Sequence, residues 1–160
     1  MRGQYEVWIP RINVPATEGS IAGIIVPANT IAQLNRIELI GRAAASNNGR
    51  VRVRRFTGNT PTLSNAVVAK ARAQGNALAA TVTVGGRGSG GSGAVWSATP
   101  TTPDAEEIFG NAANLFGGRI AWASTLQESI DIGGASASYY DVLGEAESAV
   151  DAALLLVFSE

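Results

Sequence analysis

The chain has 160 residues, 46% of them apolar, and contains neither histidine nor cysteine. Those two absences remove the imidazole base, the thiolate nucleophile, the disulfide staple and the usual zinc sites. Charged residues reach only 16% and the net charge is −1, where ordinary soluble domains have about 25% charged residues; this favours a building block or binding module over an enzyme or a dedicated nucleic-acid binder.

Residues 4–9 (QYEVWI) alternate in polarity and read as a first strand, stopped by Pro10. A loop over 15–19 leads to an apolar run at 20–26, closed by a turn at Pro27-Ala28-Asn29-Thr30. Residues 31–40 form a third strand, with Ile37 and Leu39 set against Glu38. Asn48-Gly49, ending the turn Ser46-Asn47-Asn48-Gly49, is a hairpin signal. The strand after it, 50–57 (RVRVRRFT), puts Val51 and Val53 on one face and Arg50, Arg52 and Arg54 on the other. Residues 63–74 (LSNAVVAKARAQ) have the alanine content of a helix, yet Val67, Ala69, Ala71 and Ala73 alternate with Lys70, Arg72 and Gln74, which favours an extended segment. Gly75-Asn76 breaks it.

A β-branched strand over 78–84 runs into a glycine-rich loop at 85–93 (GGRGSGGSG), expected to be flexible, and 94–99 form another strand. Pro103 to Glu107 reads as a short helical turn, with Asp104 as its cap, Glu107 completing a capping box and Gly110 ending it. Strands follow at 118–124, at 127–132 (closed by Gly133-Gly134) and at 136–142. The stretch from Glu145 is compatible with a helix, but the closing run 151–158 (DAALLLVF) suits a buried central strand and is taken as one. About eight to ten short strands with regular turn signals predict an all-β fold, an antiparallel β-sandwich in one domain over 1–160 with long loops. No apolar run approaches the roughly 20 residues of a membrane-crossing helix. The N-terminus also lacks the apolar segment of a secretory signal, so no membrane partner is expected.

The charges are unevenly placed. Residues 1–87 carry 11 basic and 3 acidic side chains, and residues 88–160 carry 1 and 10. Such halves pair within the chain, strand against strand, or between subunits. All but one of the 12 bases are arginine, which forks onto carboxylates and suits interfaces.

Each constellation has a plain reading beside the sharper one. Gly86, Gly88 and Gly91 match G-x-G-x-x-G, but Ala94-Val95-Trp96 continues as strand where a dinucleotide site needs a helix. The loop reads instead as a contact element that orders on assembly. The cluster Arg50, Arg52, Arg54 and Arg55 has only Phe56 interleaved, so a solvated or subunit-facing ladder is favoured over phosphate contacts. Asp104, Glu106, Glu107, Glu128 and Asp131 lack calcium-loop spacing. As an acid/base pair for glycoside hydrolysis they would sit in a chain with only 6% aromatic residues, thin for a sugar cleft. Trp8, Trp96 and Trp122 fall on expected strands, where core packing competes with an exposed aromatic platform for glycans. No residue is singled out as catalytic, cofactor-binding or metal-ligating.

The run Pro27-Ala28-Asn29-Thr30 leading to Leu34 and Ile37-Glu38, the Arg-rich strand 50–56, the segment 93–96, the Trp122 strand, 128–134 (ESIDIGG) and the closing 154–158 together resemble the small β-sandwich structural proteins of tailed-phage virions, above all capsid decoration (cement) proteins. The resemblance implies a jelly-roll-like fold and a homotrimer on the capsid surface, clamping neighbouring major capsid protein subunits. It also implies synthesis in the host cytoplasm without a signal peptide. Residues 1–15 would be an N-terminal arm, and with the glycine-rich loop would reach a neighbour. The candidate partner-interface residues are Arg2, Tyr5, Trp8, Arg11, Arg50, Arg52, Arg54, Arg55 and Arg87. The competing expectations are a phage tail, connector or fibre-base protein, and a carbohydrate- or surface-binding module.

Overall fold

Strand-length stretches of alternating apolar residues pair into two facing sheets. The computed structural model describes residues 3–56, 60–71, 80–87, 91, 93–123 and 129–160. Its long strands are β1 (Gln4–Val14), β2 (Gly19–Val26), β3 (Thr30–Gly41), β4 (Asn48–Phe56), β10 (Pro103–Asn114), β13 (Ser138–Ala146) and β14 (Val150–Ser159). Shorter ones are β5 (Thr62–Leu63), β6 (Ala66–Val67), β7 (Lys70–Ala71), β8 (Thr83–Gly86), β9 (Trp96–Ala98), β11 (Arg119–Ala123) and β12 (Ile130–Gly134). No helix among the described residues is long and apolar enough to cross a membrane.

One sheet runs β11-β3-β14-β1-β7, with β12 continuing β11 along β3; the other runs β10-β4-β13-β2-β8-β6. Every pairing is antiparallel. Without the small strands between β4 and β10, the facing layers are β1-β14-β3-β11/β12 and β2-β13-β4-β10. The chain changes sheet at each step from β1 to β4, which is the interleaved order of a jelly roll. The core fills the space between the layers. Val7, Ile9, Ile37, Leu39, Leu154 and Leu156 enter it from the first sheet, and Ile24, Val51, Val53 and Val142 from the second. Phe109 of β10 tilts against Trp122 of β11 at 5.8 Å and closes one side of the sandwich.

The strand β14 lies between β3 and β1 and is buried at seven of its ten residues, Ala153 and Val157 of the outer face among them. Its apolar run therefore needs no polar alternation. The chain between β4 and β10 closes the opposite side of the sandwich. There β7 adds to β1, β8 and β6 add to β2, and β5 and β9 form a separate two-stranded ribbon.

Several expectations are corrected. Pro10 does not end the first strand: β1 continues to Val14 because the ladder with β14 shifts register between Ile9 and Ile12, and a bulge tolerates the missing N–H. Residues 4–14 are consequently not a free arm but a strand beside the central β14. Asn48-Gly49 makes no hairpin, since β3 and β4 belong to different sheets. The expected helical turn at 103–107 is the start of β10, and Gly110 lies within that strand opposite Arg52. Edge pairing with β4 overrides the local cap signal there. Gly85 and Gly86 belong to β8 and not to a loop, while 88–90 and 92 lie outside the described residues. The segment 63–74 is extended as far as Ala71, but in three two-residue pieces, and 72–74 fall outside the described residues.

Candidate functional site

The arginines of β4 are knitted into their own sheet. Because β4 lies between β10 and β13, basic side chains of the first half alternate with acidic ones of the second. Arg50 forks onto Glu145 (2.8 Å from Nε, 2.6 Å from Nη2) and reaches Glu18 at 3.5 Å. Arg52 pairs with Glu18 (2.7 Å from Nε) and with Glu107. The bond to Glu18 raises the guanidinium's pKa against the opposing effect of desolvation, and Glu107 adds to the rise. Arg11 joins Asp151 at 3.0 Å. Part of the charge asymmetry of the sequence is thus answered within the molecule, by Arg11, Arg50 and Arg52 against Asp151, Glu145 and Glu107.

Of the other interface candidates, Arg54 faces Asp141 across the ladder and Arg55 is exposed. Tyr5 is not offered to a partner. Its ring faces inward and stacks on Phe158 at 5.5 Å. Arg2 and Glu128 lie outside the described residues, and so do the side chains of Asp104 and Glu106.

Trp8 is 44% exposed on the outer face of the first sheet. It stands in a row with Leu155, Glu38 and Ala121 across β1, β14, β3 and β11. Glu38 is only 3% exposed although it points away from the core. Two guanidiniums cover it, Arg119 at 2.9 Å and Arg36.

On the outer face of the second sheet the β5–β9 ribbon rests on a glycine floor. A Cβ at Gly23 would overlap the indole of Trp96, and one at Gly85 would meet Leu63 and the Asn65 carbonyl. Trp96 is 6% exposed and donates its indole N–H to Asp141 Oδ1 at 3.1 Å. Ser20 Oγ donates to Asp141 Oδ2 at 2.7 Å. Burial pushes the Asp141 carboxyl up to about 6. The bonds from Ser20 and Trp96 pull it down, and the charge of Glu18 adds to the rise. Beside this plug lies a cleft of about 370 Å³ lined by Ser20, Arg87, Trp96 and Thr99 among others.

At one end of the sandwich the connections after β1, β3, β10 and β13 bond to one another. Leu115 N–H donates to Asn47 O (2.7 Å), Ala43 N–H to Leu115 O (3.3 Å) and Ala146 N–H to Pro15 O (2.9 Å). Leu115 plugs the space left by Gly41 and Gly49, where any Cβ would strike its side chain. The next residue, Phe116, is turned outward and 58% exposed. Its N–H is held by Asn114 Oδ1 at 2.9 Å, and Gly117 follows at φ +61°. Phe116 was not singled out from the sequence. The available signal was Leu115-Phe116 directly before Gly117-Gly118, an apolar pair at a turn.

Among the described residues no group of three His, Cys, Asp or Glu side chains is placed to hold a metal ion. No protein-family model matches the chain, and no curated protein or solved structure matches it significantly.

Proposed function

We propose that this chain is a non-enzymatic virion structural protein, a capsid decoration (cement) protein. It would bind the outer surface of a major capsid protein lattice as a homotrimer and stabilise the head. The observation that supports this most is the strand order, with β1-β14-β3-β11/β12 facing β2-β13-β4-β10. Jelly rolls recur in viral shell proteins, lectins and metal-binding enzymes, so the fold narrows the choice and the surface must decide within it.

An imidazole-bound metal centre is closed to a chain without histidine. A glycan platform needs at least two exposed rings side by side. Trp96 is plugged under the ribbon and Trp122 packs on Phe109, which leaves Trp8 without a tryptophan neighbour on the surface. A shell protein needs a stiff body and a few firmly held apolar contacts. Trp8 sits on a strand of a continuous sheet, and Phe116 sits on a turn fixed by Leu115 and Asn114. Contacts held this way lose little conformational entropy on docking.

Copy number in purified particles, from quantitative mass spectrometry against the most abundant shell protein, tests the reading. A number near that of the shell protein itself supports decoration. A few to a few dozen copies moves the protein to the tail or connector. Absence from particles refutes a virion role and leaves a free binding module.

A further inference from the structure

Arg87 stands apart from the other described cations. Arg11, Arg36, Arg50, Arg52 and Arg119 each meet a carboxylate. Arg42 and Lys70 are exposed to water, and Arg54 and Arg55 have interactions of their own. Arg87 is partly buried, and among the described residues it makes its hydrogen bonds to backbone carbonyls alone. Its Nε donates to Ser20 O at 2.9 Å and its Nη1 to Asn13 O at 3.1 Å. Carbonyl oxygens satisfy N–H groups but carry no formal charge, so the guanidinium's charge stays unmatched where water is partly excluded. Desolvation accordingly lowers its pKa below the ordinary arginine value. A guanidinium has more N–H donors than these two bonds use, and the side chain lines the cleft of about 370 Å³ beside Ser20, Ala94, Trp96 and Thr99.

We propose that this cleft is a carboxylate-binding site in which Arg87 supplies the cation and the indole of Trp96 forms one wall. The planar fork of arginine matches a carboxylate. A phosphate dianion is disfavoured because Ser20, bonded to Arg87 through its carbonyl, already donates its hydroxyl to the carboxyl of Asp141, and Glu18 lies close enough to raise that carboxyl's pKa. A second negative charge on the ligand would face this acidic background with one cation to balance it. The carboxylate comes either from a small free acid or from an acidic side chain on a bound protein. The site holds whether or not the chain belongs to a virion.

The test is a titration of the whole protein followed by NMR of the Arg87 Nε–H and Trp96 indole N–H signals. The probes are acetate, a capped glutamate peptide, inorganic phosphate and chloride at matched ionic strength. Acetate is expected to move both signals saturably, with a midpoint on the order of a few millimolar, as suits one charge-assisted fork in a half-open cleft. Phosphate and chloride are expected to leave them nearly unmoved. A peptide that binds several-fold more tightly than acetate identifies a protein-borne carboxylate; equal midpoints identify a small free acid. Unsaturated shifts up to tens of millimolar, or phosphate acting as strongly as acetate, overturn the proposal.

Replacing Arg87 also removes the staple to Ser20 and Asn13, so the informative variant is Ala94→Glu at the exposed rim of the cleft. Its own carboxylate is expected to occupy Arg87 and abolish the acetate response. An undiminished acetate response in A94E places acetate elsewhere and refutes the site.

Discussion

Asp141 makes the stability of this fold depend on pH in the direction opposite to an ordinary paired carboxylate. The group is 3% exposed, lies under the ribbon, faces Arg54 across the ladder, and accepts hydrogen bonds from Trp96 and Ser20. Burial carries its pKa from 3.8 to about 6. Between these two values the folded chain holds a proton that the unfolded chain has released. Stability therefore falls as pH rises through this window, and the full cost is carried above about pH 6. At 1.36 kcal/mol per pKa unit the cost is about 3 kcal/mol. Asp141→Asn keeps an oxygen for the Trp96 indole and removes the ionisation. Urea unfolding of wild type and D141N from pH 4 to 8 isolates the effect, because all other titrating groups cancel in the difference. The variant is expected to gain about 3 kcal/mol relative to wild type across the series. Parallel curves would refute the assignment of a buried, proton-binding carboxyl at this position.

Three further outcomes are expected. Gly23→Ala forces a methyl into the indole of Trp96 and should cost about 1–3 kcal/mol, with red-shifted tryptophan emission as the ribbon lifts. Wild-type stability and emission would show that the ribbon does not rest on this floor. Arg52→Glu sets a third carboxylate between Glu18 and Glu107 and should lower stability by about 1–3 kcal/mol. Arg42→Glu, at an exposed site, should change it by less than about 0.5 kcal/mol; equal effects in thermal melts would contradict the ion-pair network. Phe116→Ala should leave the melting temperature nearly unchanged, and Trp8→Ala, at a side chain more than half covered, should lower it by about a few degrees without unfolding the chain. Each should reduce co-sedimentation with capsids about tenfold or more, a loss of at least about 1.4 kcal/mol, and unaltered binding would remove that residue from the proposed contact.

Much of the strand inventory was legible because it depends on short-range patterns. The alternation of Val51 and Val53 with Arg50, Arg52 and Arg54 sorted the two faces of β4 correctly. The unbroken run Leu154-Leu155-Leu156-Val157-Phe158 marked the central strand. The signals that failed were also short-range, but they competed with pairing partners far away in the chain. Asp104 and Glu107 make a sound capping box in isolation, yet β4 offered that segment a ladder. Asn48-Gly49 favours a hairpin, yet the two strands it joins lie in different layers.

The candidate site divides in the same way. Composition and pattern established an all-β chain without imidazole or thiol chemistry, an arginine-rich strand and an excess of acid in the second half. Those properties belong to single residues or near neighbours. The sandwich's strand order decided that Arg50 and Arg52 answer Glu145, Glu18 and Glu107, that Tyr5 turns inward while Trp8 turns outward, and that Asp141 is buried beneath Trp96. Asp141 and Trp96 are 45 residues apart, and Arg11 and Asp151 are 140 apart. Jelly-roll strands take most of their partners from distant parts of the chain, so burial and charge pairing follow from which strands become neighbours, a choice made by packing the whole core at once.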